Sequence, residues 1–425
     1  MAKKLQQMTK DELNAFYQEA LKEYEECKAK GLKLDMSRGK PGRAQVSISD
    51  DMFDIDIRQH MISDGIDIGN YGGFDGLPCC KRFFADLLGV QEDEVFAGGN
   101  ASLNLMYDTI SKAYTHGLLR SPEPWCKLDK VKWLCPAPGY DRHFKVSQSF
   151  GMELITVPMT DQGPDMDMVE ELVKDPAVKG IWCVPKFSNP DGIVYSEDVV
   201  NRMAALKPAA PDFVIMWDNA YCVHELQGEF VPFRDIISLC REAGRPDMVF
   251  EFASTSKVTY PGAGIACFAA SKENVAYMKK LMSIQTIGFD KINQLRHVLY
   301  LKDKEHTIAH MKKHAEFMKP KFDLVEEWLS REIAPLGIGR WHRPLGGYFV
   351  SFFTLPGCAK RTNELAKEAG VVMTGAGATY PYGIDPEDSN LRIAPSYPPL
   401  EELGEAMAVF CACVKLAAAE SMINN

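Results

Sequence analysis

The sequence predicts an α/β protein in which a large, mainly parallel sheet is covered by helices on both faces and a smaller α+β unit stands beside it. Three observations carry that reading. Short runs that are apolar at nearly every position recur at 131–135, 154–158, 180–184, 213–217 and 248–253. Strands that are apolar throughout suit a sheet buried on both faces, and the helical patterns between them, such as 197–206 and 233–243, supply right-handed crossovers. The pattern then changes: a long helix at about 307–329 is followed by extended pieces at 338–341, 346–352 and 391–394, and by a closing helix after Pro398-Pro399. Finally, 425 residues of which 46% are hydrophobic exceed one ordinary core. The expected division is 1–48, a helix and loop belonging to the smaller unit, 49–305, the large sheet domain, and 306–425, the rest of the smaller unit.

Taken in order, Thr9-Lys10-Asp11-Glu12 has the spacing of a capping box, and Leu13, Phe16, Tyr17, Ala20, Leu21 and Tyr24 then recur at helical intervals. That helix ends near Gly31. An extended piece at 32–36 runs into Ser37-Arg38-Gly39-Lys40-Pro41-Gly42, which reads either as a loop bringing backbone amides to a carboxylate or as a solvated linker. A glycine-rich turn, Asn70 to Pro78, precedes the helical pattern 81–88. Val95-Phe96-Ala97 forms a short strand that passes through Gly98-Gly99 into a helix carrying Leu105, Ile110 and Tyr114. A helix start approached by glycines offers free N–H groups and a favourable dipole to a phosphate. It is neither a Walker loop nor G-x-G-x-x-G, and the stretches 262–267 and 375–380 only half resemble a dinucleotide fingerprint.

Composition excludes several function classes. Lys plus Arg total 48 against 58 Asp plus Glu, a net charge of −10, which argues against a general nucleic-acid or anionic-membrane surface. An anionic ligand must therefore meet local cations. The start lacks the apolar stretch of a secretory signal, and the apolar run 406–414 is far short of the roughly 20 residues a membrane span needs, so it reads as a core helix. Twelve scattered cysteines without C-x-x-C spacing read as reduced, mostly buried thiols of a cytoplasmic protein, with no metal site.

Chemistry concentrates where strands end. After the strand at 131–135 comes Pro136-Ala137-Pro138-Gly139-Tyr140; after 180–184, Ser188-Asn189-Pro190; the strand at 213–217 ends in Asp218-Asn219-Ala220-Tyr221; and that at 248–253 ends in Ser254-Thr255-Ser256-Lys257. In a parallel sheet these carboxyl ends share one edge, where ligands bind. An aromatic ring to stack, an amide and a phenol to hydrogen-bond an oxygen, a carboxylate, and a lysine able to form a Schiff base would there converge on one flat ligand. Singly each has a plain structural account: Tyr140 as core filler, Asn189-Pro190 as a turn, Asp218 as a helix cap, Tyr221 as packing, Lys257 as a solvated charge. Jointly that account is poor, because unrelated turns need not place complementary chemistry on one edge. Arg392 is either a surface charge or a bidentate carboxylate anchor.

With these residues assembled, together with the runs Gln285 to Gly288, Gly346 to Phe349 and Leu391 to Pro395, the chain resembles the fold-type I pyridoxal-phosphate aminotransferases. It is most similar to the bacterial aspartate aminotransferases of type Ic, over nearly its whole length. The resemblance implies that pyridoxal 5′-phosphate is the cofactor, with Lys257 as its Schiff-base partner and as the proton carrier, and 49–305 as the domain that binds it. Asp218 would pair with the pyridine nitrogen, Asn189 and Tyr221 would meet the phenolic oxygen, and Tyr140 would stack on the ring. Asn100, Ala101, Ser102, Ser254 and Ser256 would surround the phosphate. Tyr71 would reach the phosphate of a neighbouring subunit, which implies a homodimer with shared sites. Many members carry a phosphate-binding arginine one glycine-rich turn after the lysine, whereas this chain has Gly262-Ala263-Gly264-Ile265 there, so backbone amides and hydroxyls, or a cation such as Lys291 or Arg296, must serve.

For function the resemblance implies transfer of the amino group of aspartate to 2-oxoglutarate, with amino acids and 2-oxo acids as the small-molecule partners. Arg392 would anchor the carboxylate beside the reacting carbon, helped by Gly39 and Asn189, and Arg38 would face the distal carboxylate. The same fold also serves transaminases of alanine or aromatic donors, decarboxylases and lyases, and non-catalytic effector-binding halves of transcriptional regulators. Regulators carry a basic DNA-binding domain in front; here one capped helix and a loop precede the sheet, which favours the enzyme.

Overall fold

A computed structural model of the chain describes residues 4–227 and 229–424. Its centre is an eight-stranded sheet in the order Val95–Ala97, Ala266–Ala270, Val249–Ser254, Val214–Asp218, Val178–Cys183, Lys132–Ala137, Glu153–Thr160 and Gly163–Pro164. The five strands from Val249–Ser254 to Glu153–Thr160 pair in parallel; Ala266–Ala270 runs antiparallel between two neighbours, and Gly163–Pro164 folds back on Glu153–Thr160. All five long strands expected from the apolar runs are present. Ala266–Ala270 was not foreseen, because its glycine-rich approach reads as a loop until a neighbouring strand supplies hydrogen bonds.

Side-chain alternation explains why these strands are apolar at every position. Along Val214–Asp218, Val214 and Met216 enter one hydrophobic cluster while Ile215 and Trp217 enter the other, and Ile181 and Trp182 divide in the same way. Each sheet face thus has its own core beneath its own helices.

A third core belongs to the second unit. The helix Lys10–Ala29 begins with the expected capping box, in which Thr9 Oγ1 accepts from the Glu12 amide and Glu12 Oε2 from that of Thr9. It buries Leu13, Ala20, Tyr24 and Cys27 together with the helices Lys304–Glu332 and Leu400–Asn424 and the three-stranded sheet Gly339–Trp341, Val350–Thr354 and Asn390–Ile393. Lys415 on the last helix donates to Glu23 at 3.1 Å and Glu332 at 2.7 Å, tying three helices with one ammonium. By length and composition Leu400–Asn424 is apolar enough to cross a membrane, yet 72% of its most apolar window is buried within the molecule. It is the central core helix of this unit, much longer than the nine-residue run that signalled it. The helix Lys304–Glu332 joins both units, with Met311 in a sheet core and Met318, Val325 and Leu329 in the third. Of the twelve thiols, all free, nine are buried and Cys126 alone is exposed.

Beneath the sheet edge lies Glu251, whose Oε1 accepts from Asn219 Nδ2 at 2.8 Å while Oε2 is buried without a partner among the described residues. Burial pushes its pKa from 4.5 up to about 8, and the Asn219 bond only partly offsets this. The folded chain keeps a proton that the unfolded chain releases, so stability falls as pH rises from about 4.5 towards 8 and does not fall further above that on account of this group. Glu251→Gln should therefore flatten the decline: in urea titrations it should match the native chain near pH 4.5 and exceed it near pH 8 by on the order of 1–3 kcal/mol.

Candidate active site

The turn after Val249–Ser254 is held by a buried threonine. The Thr255 amide donates to the Ile265 carbonyl at 2.9 Å and its hydroxyl accepts from the Ile265 amide at 3.0 Å. This clamp points the next residues along the sheet edge, and Lys257 Nζ comes to rest 4.9 Å from the centre of the Tyr221 ring. Desolvation lowers the Lys257 pKa, and the Asp218 charge offsets part of that fall. A lysine so placed can present an unprotonated amine.

Asp218 ends the neighbouring strand. Its Oδ2 accepts from His143 Nε2 at 3.0 Å, and the His143 ring stacks on Trp182 at 4.5 Å and 13°. Trp182 is itself held by a 2.9 Å bond from Nε1 to Ser147 Oγ, so the histidine has a fixed platform. Oδ1 of Asp218 is buried and has no partner among the described residues. Sequence reasoning gave His143 no role, though a signal existed: it stands three positions after Tyr140 where a helix begins, and the two rings meet at 4.9 Å. Burial raises Tyr140 to about 12, with Asp218 next in effect, and raises Tyr221 well above its ordinary value, so both remain phenols near neutral pH.

Lys257, Asp218, Tyr140 and Tyr221 line one cavity of about 510 Å³. Of the residues singled out from sequence, Arg38, Gly39, Ala101, Ser102, Tyr140, Asn189, Asp218, Tyr221, Ser254, Ser256, Lys257 and Arg392 all border it. Two do not. Asn100 lines another cavity with Gly262 to Ile265 and Arg296, and its carbonyl lies 3.5 Å from Ser256 Oγ. Tyr71 lies elsewhere, 80% exposed, beside Lys291 and Ile287. Neither Lys291 nor Arg296 borders the cavity of its own chain.

Arg392 comes from the second unit, on the strand Asn390–Ile393. It is buried, with its guanidinium 4.7 Å from the Phe349 ring centre. Nη1 reaches Asn189 Oδ1 at 3.2 Å and Asp141 Oδ1 at 3.4 Å, Nη2 reaches Thr374 Oγ1 at 3.1 Å, and Nε has no partner among the described residues. Gly39 packs against Phe349 so closely that a β-carbon there would overlap the ring. Arg142, which sequence reasoning passed over, also borders the cavity. Neither it nor Arg38 has a side-chain hydrogen bond or ion pair among the described residues.

The residues suit pyridoxal phosphate on three counts. The orphaned Asp218 Oδ1 needs a donor, which a protonated pyridine nitrogen provides. The helix Ser102–His116 opens on the cavity with no side-chain cap, leaving its first amides for an anion. At Gly264 a β-carbon would stand 3.2 Å from the Asn100 carbonyl and 3.3 Å from the Ser256 amide, so glycine keeps that cradle open.

The family model described as aspartate amino-transferase matches residues 8–425. This chain belongs to that family. The aspartate aminotransferase of Corynebacterium glutamicum is 48% identical to it over 421 residues, 99% of this chain and 98% of the relative. The crystal structure of an aspartate transaminase from the same organism superposes with a TM-score of 0.97 at 47% identity, covering 99% of this chain and 100% of that one. An α-aminoadipate aminotransferase from Thermus thermophilus, complexed with N-(5′-phosphopyridoxyl)-L-leucine, shares the fold at a TM-score of 0.74 and 21% identity, covering 92% and 93%. The protein is therefore an aminotransferase of the α/β architecture expected from its strands.

Because Gly39 and Arg392 both pack against the Phe349 ring, Gly39→Ala should displace that ring and loosen the arginine. Steady-state kinetics should show KM for amino-acid donors raised about tenfold, with kcat reduced less.

Proposed function

We propose that the protein transfers the amino group of aspartate to 2-oxoglutarate, giving oxaloacetate and glutamate, with pyridoxal phosphate as cofactor and as a homodimer in the cytoplasm. One observation carries the substrate reading: a desolvated lysine shares its cavity with three arginines, two of them without a side-chain hydrogen bond or ion pair among the described residues. Both carboxylates there are already engaged, Asp218 by His143 and Asp141 by Arg392 and Lys145. A chain of net charge −10 that concentrates free guanidinium groups here suits a substrate with two carboxylates.

Pyridoxal phosphate, when bound, supplies an electron sink for the pair released at the substrate Cα. Lys257 would hold it covalently, and the same Nζ would take the Cα proton and return it. Asp218, kept in place by His143, would hold a proton on the ring nitrogen. Because Oδ1 of Asn189 is occupied by Arg392, its Nδ2 hydrogens remain for the phenolic oxygen, with the Tyr221 hydroxyl as second donor. Tyr140 would cover the ring. The amides of Ala101 and Ser102 and the hydroxyls of Ser254 and Ser256 would receive the phosphate, with Asn100 behind them. Arg392 would bind the carboxylate next to the reacting carbon beside Gly39, and Arg38 or Arg142 the distal one.

The division into 1–48 with 306–425 and 49–305 is likewise our proposal, supported by the packing of the first helix into the core of the second unit. For the dimer, the support is that Tyr71, 80% exposed, lies beside Ile287, itself 66% exposed. A second copy would cover both and receive Tyr71 at its phosphate, with Lys291 or Arg296 as accompanying cation.

Initial rates over a panel of amino donors with 2-oxoglutarate test the substrate. Aspartate should be preferred to alanine, and Lys257→Ala should abolish turnover. Arg38→Leu or Arg142→Leu, whichever meets the distal carboxylate, should cost aspartate about 2 kcal/mol in kcat/KM while sparing alanine. A native preference for alanine would overturn the dicarboxylate reading. Shared sites have their own test: mixing inactive Lys257→Ala with impaired Tyr71→Ala chains should restore part of the activity, since each hybrid has one site with both groups. No recovery in hybrids verified by native mass spectrometry would count against the dimer reading.

A further inference from the structure

The loop carrying Arg38 and Gly39 is pinned at both ends, and one pin also touches an arginine of the cavity. The chain enters the loop from Leu34–Asp35, which pairs in parallel with Val371–Val372, and the Met36 amide donates to the Val372 carbonyl at 2.8 Å. Asp35 accepts from the Ser37 amide at 2.8 Å and hydroxyl at 2.6 Å. Two residues beyond its strand, Thr374 donates its hydroxyl hydrogen to the Ser37 carbonyl at 2.7 Å. A hydroxyl has one hydrogen, so at its 3.1 Å contact with Arg392 Nη2 it can only accept. The Thr374 backbone is itself anchored, its carbonyl accepting from Asn363 Nδ2 at 2.8 Å. At the other end of the loop Ser396 Oγ donates to the Lys40 carbonyl at 3.0 Å, and Lys40 Nζ lies 4.0 Å from the Tyr397 ring centre. Between the pins, Gly39 rests on Phe349, the ring that supports Arg392.

We infer that Thr374 is a positioning residue that couples carboxylate binding at Arg392 to the placement of the 37–42 loop, and so sets the apparent affinity for every carboxylate substrate. The inference rests on the reading of Arg392 as carboxylate anchor. A carboxylate that fixes the guanidinium fixes the acceptor side of the hydroxyl, which in turn fixes the Ser37 carbonyl. By linkage, a loop held in place pre-orders the arginine to the same extent. Serine keeps this geometry; valine, of nearly equal shape, removes both bonds and leaves the Ser37 carbonyl and an arginine N–H without their partner.

The test compares the native holoenzyme with Thr374→Val, Thr374→Ser and Arg392→Lys. The measurements are kcat and KM for aspartate and alanine, and hydrogen–deuterium exchange over 36–42 with and without succinate, which has two carboxylates but no amino or oxo group to react. Thr374→Val should raise KM for both donors about tenfold with kcat within about threefold, and Thr374→Ser should return KM to within about twofold. In the valine variant the loop should exchange faster without ligand, and saturating succinate should no longer slow it as it does in the native chain. An unchanged KM in Thr374→Val overturns the inference. So does a raised KM with native loop exchange and native protection by succinate, since the hydroxyl would then act on Arg392 alone. Native KM values in Arg392→Lys would remove the anchor reading itself, a result that is read without any change at Thr374.

Discussion

Parallel pairing of the strands from Val249–Ser254 to Lys132–Ala137 is the constraint on which the site depends. Parallel strands end on the same edge, so residues separated by more than a hundred positions in sequence, Tyr140 and Lys257 among them, border one cavity. The apolar composition that buries both faces serves the same purpose, because it makes the edge a rigid platform. Flexible loops alone would not hold Asp218, Tyr221 and Lys257 in register.

Burial at that edge shifts protonation in useful directions. It disfavours the charge on Lys257 and keeps Tyr140 and Tyr221 as donors. At Asp218, His143 lies against one carboxylate oxygen and stacks in turn on Trp182. The second oxygen is left for a ligand.

The second unit supplies the half of the cavity that carries Arg392, Phe349 and Thr374. Arg392, Phe349, Gly39 and Thr374 arrive from four separate stretches that meet beside the core in which the first helix packs on the last. Lys415, bonded to Glu23 and Glu332, holds that helix packing where chain start and chain end come together. The helix Lys304–Glu332, rooted in a sheet core at Met311 and in the third core at Leu329, fixes one half of the cavity relative to the other.

Periodicity and capping residues were enough to read the five long strands, the capped first helix and the closing helix, since burial on two faces and the Thr9 to Glu12 exchange are local in origin. The strand-end residues were legible because strand direction alone places them together. Ala266–Ala270 was not legible: it exists as a strand only through hydrogen bonds to its neighbours. The partnership of His143 with Asp218, the bond of Thr374 to both Ser37 and Arg392, and the presence of Arg142 in the cavity were equally hidden. Each depends on where a side chain arrives after helices and sheets have packed, which no local propensity encodes. The sequence by itself determined the architecture and the set of chemical groups; tertiary packing decided which of those groups touch, because contact between distant segments is a property of the packed cores and not of any one segment.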